Sequence, residues 1–145
     1  MKISEVKPDE MAIKQLIELS EKWEAEESCY GYRANKKEDI TGNRIFVAEN
    51  DEKIIGYLFG HSEKRENMCS VIPKDTACFE VMEIFVEKEC RNKGIGKALF
   101  KFMENTVEEE YITLCTATKN HKAILHFYIE EVGMNFHSAL LFKKK

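Results

Sequence analysis

The pattern of apolar and polar residues changes period several times along this chain, and each period predicts one kind of element. Short runs of β-branched and aromatic residues between turn-forming residues predict strands. Six such runs are Lys2–Val6, Arg44–Glu49, Lys53–Gly60, Ala77–Val86, Tyr111–Thr116 and Met134–Lys143. The second and third runs surround Asn50-Asp51-Glu52, a composition typical of a hairpin turn.

Apolar residues three and four positions apart predict helices between these strands. Asp9 can cap the first helix, and the acidic run Glu21–Cys29 is expected to form the next one. The longest predicted helix is Gly94–Glu110, and a shorter one, Ala123–Glu131, ends near Gly133. The helix between the fourth and fifth strands is a crossover that requires a parallel or mixed sheet. The order of elements predicts one α/β (α+β) domain over 1–145, with a mixed central sheet of about six strands and helices on both faces.

Composition and charge restrict the functional classes. The chain has 145 residues, which suits a single core, and its net charge of −4 does not favour non-specific nucleic-acid binding. No segment is apolar enough to span a membrane, and the N-terminus lacks the apolar region of a signal peptide. The five cysteines form no C-x-x-C pair, which favours free thiols in a reducing compartment. We therefore expect a cytoplasmic protein.

The most informative motif is Arg91-Asn92-Lys93-Gly94-Ile95-Gly96, which lies between a predicted strand and a predicted helix. The first turn of a helix offers backbone N–H groups and a partial positive charge, and glycines let the backbone approach an oxyanion. Lys93, Lys97 and Lys101 begin this helix and glutamates end it, which opposes the helix dipole. A bound polyanion would make the lysines ligands; a solvated face without a ligand is the alternative.

In this context the Arg-x-x-Gly-x-Gly motif resembles the acetyl-CoA pyrophosphate loop of the GNAT superfamily of acyltransferases. The resemblance extends through Asn120-His121-Lys122-Ala123, Phe127-Tyr128 and Gly133-Met134, and it is strong from Cys78 to Met134. Family members carry two strands after the last helix, whereas this chain has room for one.

The resemblance implies that acetyl-CoA is the co-substrate. Its pantetheine arm would pair with the backbone of Ile84, Phe85 and Val86, which can also be a plain core strand. Its pyrophosphate would lie over Arg91, Asn92, Lys93, Gly94, Ile95, Gly96 and Lys97. The family also implies that Asn120 contacts the cofactor in addition to capping the next helix.

Tyr128 is the candidate acid for the departing thiolate, since a phenol can donate a proton near neutral pH. The family pattern places this tyrosine four positions after the alanine that corresponds to Ala123. Here the spacing is five, and Phe127 occupies the expected position. A bulge in the helix would restore Tyr128 to the site; otherwise Tyr128 is a packing aromatic.

Glu80 and Glu83 are the candidate general bases. A carboxylate inside an apolar strand is costly unless it is paired or functional. Because side chains alternate along a strand, the two are expected to point to opposite faces. Glu80 lies eleven positions before Arg91, where the resemblance places the base of histone acetyltransferases. Salt bridges are the alternative for both, and ordered water replaces the base in many members.

Histidines and an acidic patch are two further groups of candidate residues. The four histidines have no metal-binding spacing, so no metal is predicted, and only His126 shares the helix of Tyr128. An acidic patch with aromatic residues falls where the family's substrate-facing helices lie, and it suits a cationic amine or is a solvated helix face. Its members are Glu18, Glu21, Trp23, Glu24, Glu26, Glu27, Tyr30 and Tyr32.

Three functions fit these observations. The first is N-acetylation of a primary amine of a small molecule, such as a polyamine or an aminoglycoside, by direct attack in a ternary complex. The second is acetylation of a protein N-terminus or lysine. The third is a non-catalytic acyl-CoA sensor, which the displaced Tyr128 favours. A strand edge left open by the short C-terminus is compatible with a homodimer.

Overall fold

The computed structural model describes residues 1–145 as a five-stranded sheet between helices. In spatial order the strands are β1 (Lys2–Val6), β2 (Arg44–Asn50), β3 (Lys53–Lys64), β4 (Ala77–Val86) and β5 (Tyr111–Leu114). The helices are α1 (Glu10–Glu26), α2 (Lys37–Ile40) and α3 (Ile95–Thr106), followed by a π-helix over Ala123–Glu131. The first four strands pair antiparallel, and β4 pairs with β5 in parallel. The predicted mixed α/β fold is confirmed.

The acidic run from Glu21 belongs to α1 and does not form a separate helix. The Asp9 carboxylate accepts a hydrogen bond from the Ala12 N–H at 2.8 Å and so caps α1, as predicted. The helix then continues to Glu26 and ends at Glu27, whose φ of 51° is left-handed. The separate second helix is the single turn α2, further along the chain.

Two hydrophobic clusters lie on opposite faces of the sheet. On one face, Leu16 of α1 packs with Tyr57, Phe59 and Phe85. On the other face, α3 packs on a second set of strand side chains. That cluster includes Leu99, Phe100, Phe46, Leu58, Phe79 and Val81. Because side chains alternate along strands, one sheet supplies both clusters.

A β-bulge interrupts β4 at Met82. Phe59 pairs with Glu83, but the next residue of β3, Gly60, pairs with Val81, so Met82 is the additional residue. Gly60 permits this close approach, because a Cβ at that position would lie 2.1 Å from the backbone oxygen of Glu80. The bulge also changes which face each later side chain of β4 occupies.

The strands β4 and β5 separate after a short pairing. Their ladder runs from Cys78 with Tyr111 to Val81 with Leu114 and then stops. Beyond that point, the edge of β4 from Met82 to Val86 has no neighbouring strand. The gap begins at the bulge and opens toward the start of α3.

The predicted last strand, Met134–Lys143, is wrong. This segment pairs with no strand, and Leu140 and Leu141 are 98% and 87% exposed. The apolar run Ala139–Phe142 lacks the alternation that lets a strand bury one face and solvate the other. The outer edge of β5 therefore stays open, and the homodimer remains a prediction.

No helix of the structure combines the length and the apolar character that crossing a bilayer requires.

The Gly60→Ala variant should lower the free energy of unfolding by roughly 1–3 kcal/mol, because the added methyl group meets backbone that cannot rotate away. Urea denaturation monitored by circular dichroism measures the change. Ser62→Ala, at an exposed position of the same strand, is the control and should stay within about 0.5 kcal/mol of the parent. Equal stability of Gly60→Ala and the parent would contradict the tight bulge.

Candidate active site

A cavity of about 1180 Å³ occupies the gap between β4 and β5. Its lining comes from both faces of the sheet: Glu83 and Phe85 belong to the α1 face, and Ile84 and Ile95 to the α3 face. The lining also includes the segment 28–32 after α1, the start of α3 and the π-helix. The cavity is therefore a passage through the sheet with a different chemical character at each end.

The end of the cavity at α3 is suited to an anion. Gly94 precedes the helix with a φ of +77°, a left-handed conformation that favours glycine. No side chain caps this N-terminus and its first turn has no acidic residue, so its positive end remains available. Lys97 lines the same end. The geometry of Gly94, Ile95, Gly96 and Lys97 fits the predicted phosphate loop.

Gly96 has a second role in packing. A Cβ at Gly96 would lie 3.2 Å from the Phe127 ring, so the absence of a side chain lets the π-helix approach the loop. This contact assigns Phe127 a structural position at the site.

Arg91 connects the loop to β4 and to the end of α1. Its Nε donates to the Val86 carbonyl oxygen at 2.8 Å, and its Nη2 donates to Glu26 Oε1 at 2.7 Å. Its guanidinium lies 5.2 Å from the centre of the Phe85 ring. Arg91 was predicted to bind a ligand, but its positive charge is paired with the Glu26 carboxylate at the end of α1. The neighbouring Lys93 donates to the Glu89 carbonyl at 3.2 Å, and Asn92 has a left-handed φ of 61°.

The unpaired edge of β4 presents alternate backbone groups to the cavity. The Glu87 N–H donates to Ile55 O of β3 at 2.8 Å. Backbone groups alternate in direction along a strand, so Glu83 and Phe85 also direct theirs at β3. Ile84 and Val86 therefore direct theirs at the gap. Phe85 turns its backbone to β3 and contributes its ring to the cavity instead.

Asn120 lines the cavity and caps the last helix. Its Oδ1 accepts hydrogen bonds from the backbone N–H groups of Lys122 at 3.1 Å and Ala123 at 3.4 Å. The capping role is confirmed, and the contact with a cofactor stays a prediction.

Tyr128 lines the cavity because the last helix has π geometry. The Val132 N–H donates to the Phe127 carbonyl, five residues earlier, at 3.0 Å. The wider turn accommodates the additional residue between Ala123 and Tyr128, as the bulge hypothesis required. Burial raises the pKa of the Tyr128 phenol to about 12, with a smaller contribution from the nearby Cys29 thiol. Tyr128 therefore keeps its proton throughout the neutral range.

Glu83 is the central carboxylate on the α1 face of the cavity. Its Oε2 accepts hydrogen bonds from Asn35 Nδ2 and Tyr57 Oη, both at 2.8 Å, and from Tyr32 Oη at 3.4 Å. No protein donor is bonded to its other oxygen. Burial raises the pKa of Glu83 above its ordinary value of 4.5, and the three donors offset part of this effect. Burial beside this carboxylate also raises the pKa values of Tyr32 and Tyr57.

Glu80 lies outside the cavity, although it shares the face of Glu83. Glu80 pairs with His61 of β3, and Glu83 pairs with Phe59. His61 and Phe59 are two residues apart and so share a face of the sheet, and paired residues lie on the same face. The expectation that the two glutamates face opposite sides is wrong, because the bulge at Met82 adds one residue between them. Arg65 Nη2 donates to Glu80 Oε1 at 2.6 Å.

The Glu80 side chain also belongs to a group with His61 and Glu63, whose potential metal-ligating atoms lie within 4.8 Å of one another. The sequence spacing did not predict this group, because β3 and β4 bring its members together. The Arg65 guanidinium already neutralises Glu80 in this group.

Several residues of the site were not predicted. Asn35 and Tyr57 hold Glu83, Glu26 holds Arg91, and Cys29 lies near Tyr128. Of the acidic patch, only Glu26 lines the cavity among its five glutamates. Each of these contacts joins distant parts of the chain, so no local pattern indicates it. Trp23, Tyr30 and Tyr32 do line the cavity.

Comparison with known proteins identifies the family. The model of the Acetyltransferase (GNAT) family matches residues 11–134. An uncharacterized N-acetyltransferase of Methanocaldococcus jannaschii is 35% identical over 63 residues, which are 43% of this chain and 33% of that protein. The match thus spans about a third of that relative.

Two solved structures share the fold. An aminoglycoside acetyltransferase from an uncultured soil metagenomic sample, in complex with sisomicin, has a TM-score of 0.71 and 18% identity, covering 99% of this chain and 95% of that chain. A ribosomal-protein-alanine N-acetyltransferase from Brucella melitensis biovar Abortus 2308 has a TM-score of 0.69 and 14% identity, covering 99% and 100%. At these identities the likeness shows the fold alone.

The family match extends over most of the chain and includes both the loop before α3 and the strands that bound the cavity. We conclude that this protein belongs to the Acetyltransferase (GNAT) family.

Proposed function

We propose that this protein takes the acetyl group from acetyl-CoA and transfers it to a primary amine of a small molecule, by direct attack in a ternary complex. The observation that carries this proposal is the single cavity between β4 and β5. It brings together the uncapped N-terminus of α3, the phenol of Tyr128 and the carboxylate of Glu83. A donor and an acceptor that enter from opposite faces of the sheet would meet in this gap.

The α3 end of the cavity fits acetyl-CoA, which supplies the acetyl thioester. The backbone from Gly94 to Lys97 can hold the pyrophosphate, and Lys97 adds a full positive charge. The backbone groups of Ile84 and the N–H of Val86 can pair with the amide groups of the pantetheine arm as an additional strand would, whereas the Val86 carbonyl already accepts from Arg91. An N–H of this edge can also stabilise negative charge that develops on the acetyl oxygen.

Glu83 and Tyr128 have complementary proton-transfer roles in this proposal. The free oxygen of Glu83 accepts a proton from the incoming ammonium group, which leaves a neutral, nucleophilic amine. Tyr128 remains protonated at neutral pH and donates to the departing thiolate. Glu80 takes no part, because it lies outside the cavity and is bound to Arg65.

The placement of Tyr128 weakens the case for a non-catalytic sensor, which rested on its displaced position in the sequence. Acetylation of a protein is the second candidate function; the Brucella enzyme shares the fold, and its likeness does not distinguish the two substrates. Turnover of short peptides in preference to free amines would establish it.

The first test is calorimetric titration with acetyl-CoA, followed by free-thiol release with a panel of amines and peptides. We expect binding, and we expect Lys97→Ala to weaken it about tenfold by removing a charge-assisted contact. Lys101→Ala is the matched control, because Lys101 lies one turn further along and donates to Glu104 at 2.6 Å. An absence of binding by the parent protein would overturn the proposed function.

Tyr128→Phe should lower kcat about 10²-fold, because the thiolate then leaves without its proton donor. Affinity for acetyl-CoA in calorimetry should not change, which separates chemistry from binding. The double variant Tyr128→Phe with Phe127→Tyr restores a phenol at the family spacing. It should not recover activity, since the ring at 127 packs on Gly96. A parental kcat for Tyr128→Phe would contradict the assigned acid.

Glu83→Gln should lower kcat/KM about 10²-fold and make the protein more stable at neutral pH. Because the folded protein raises the pKa of Glu83, it holds this proton more tightly than the unfolded chain does. The stability of the parent therefore falls, through this group, as pH rises from about 4.5, whereas the glutamine variant does not titrate there. The gain in the free energy of unfolding should be absent near pH 4 and present at pH 7.

Glu80→Gln is the control for both measurements. It lies on the same strand and face but loses an ion pair with Arg65 instead of a buried charge. It should show no stabilisation at pH 7 and little change in kcat/KM. A Glu80→Gln variant that lost activity while Glu83→Gln kept it would reverse the assignment of the base.

A further inference from the structure

We infer that the acceptor is a primary amine with one positive charge and a flat, apolar body, such as an arylalkylamine, and not a polycation. This inference rests on the proposed function, since it describes the substrate of the same site. It follows from the charges and the aromatic side chains that line the α1 face of the cavity.

The cavity offers a single free carboxylate to an amine on the α1 face. Four glutamates line the cavity: Glu26, Glu83, Glu130 and Glu131. Glu26 is bound by Arg91 at 2.7 Å. Glu130 and Glu131 belong to the π-helix and flank His126 at 3.2 Å and 3.7 Å. Of the two on the α1 face, Glu83 is the one without a cationic partner, and it is half-buried beside aromatic side chains.

The other acidic residues of α1 do not supply further charge. Glu18 and Glu21 line a separate shallow depression beside Lys14 and Lys37. Glu24 and Glu27 are exposed and do not line the cavity. A second or third ammonium group of a polyamine or an aminoglycoside would thus find no further unpaired carboxylate on the α1 face, and Arg91, Lys97 and Lys122 also line the cavity.

An aromatic wall stands directly beside Glu83. The rings of Trp23 and Tyr32 stack with their centres 4.1 Å apart, and Trp23 stacks on Phe85 at 5.3 Å. The indole N–H donates to Ser28 Oγ at 3.2 Å, so the polar edge of Trp23 is already bonded. All three rings line the cavity, and the hydroxyl of Tyr32 donates to Glu83.

The Glu83 carboxylate and the aromatic wall together favour a ligand whose ammonium group lies close to its ring. An ammonium group at Glu83 gains a buried ion pair and a site for proton transfer. A flat apolar group attached to it can stack against the wall, where aromatic contacts add to the burial of apolar area. A second charge would occupy the same apolar surroundings and lose its hydration.

The test compares kcat/KM by thiol release at saturating acetyl-CoA for 2-phenylethylamine, n-propylamine, spermidine and kanamycin. We expect 2-phenylethylamine to exceed both polycations by at least tenfold and to exceed n-propylamine as well. A preference for either polycation would overturn the inference while leaving the proposed function intact. Acetyl-CoA binding in calorimetry without turnover of 2-phenylethylamine would also overturn it. A protein that binds no acetyl-CoA would overturn the proposed function itself.

Two variants test the wall separately from the charge. Trp23→Leu should reduce the ratio of kcat/KM for 2-phenylethylamine to that for n-propylamine at least tenfold, mainly through KM. Tyr32→Phe keeps the ring and should keep most of this ratio. It is the control for a substitution within the wall that leaves the aromatic surface in place. Tyr111→Leu, on β5 outside the cavity, should leave the ratio unchanged. An unchanged ratio in a folded Trp23→Leu variant would exclude the wall as the binding surface.

Discussion

The separation of β4 from β5 is the constraint on which the candidate site depends. Two parallel strands that remained paired would satisfy each other's backbone groups and close the sheet. Here the ladder stops at Val81 and Leu114, next to the bulge at Met82. The backbone groups of Ile84 and the N–H of Val86 are left facing the gap without a strand partner, whereas the Val86 carbonyl accepts from Arg91. In the proposed complex, the pantetheine arm of acetyl-CoA would take the place of the missing strand.

The bulge also decides which carboxylate enters the gap. In a regular strand without the bulge, Glu83 would share a face with Val81 and lie among the apolar side chains beneath α3. With it, Glu83 lies on the α1 face, where Asn35 and Tyr57 can reach it. Glu83 is half-buried, and its charged form is disfavoured there, since its pKa is raised in spite of three donors. A purely structural position would favour a neutral residue, which supports a functional role for the charge.

Local features of this protein could be predicted from the sequence, and features that depend on pairing could not. The loop from Arg91 to Gly96, the cap at Asp9 and the βαβ crossover follow from adjacent residues, and each was predicted. The faces of Glu80 and Glu83 were predicted wrongly, because the bulge depends on the close approach of Gly60 on another strand. The spacing around Tyr128 left two alternatives, a bulged helix or a packing aromatic, and the π geometry places Tyr128 in the lining of the cavity. The last strand was predicted wrongly, because the apolar run Ala139–Phe142 lacks the alternation that lets an edge strand bury one face and solvate the other.

The contact between Arg91 and Glu26 leaves the loop backbone and Lys97 as the groups that we propose to hold the pyrophosphate. An arginine in this loop could bind phosphate directly, but here its fork holds the Val86 carbonyl and the end of α1. It therefore fixes the loop to both β4 and α1, the two elements that carry Phe85 and Trp23. Because Glu26 is occupied in this way, it adds no charge for an amine on the same face. The residue that organises the donor end of the cavity thus also limits the charge available to the acceptor, which leaves Glu83 and the aromatic wall to determine what binds there.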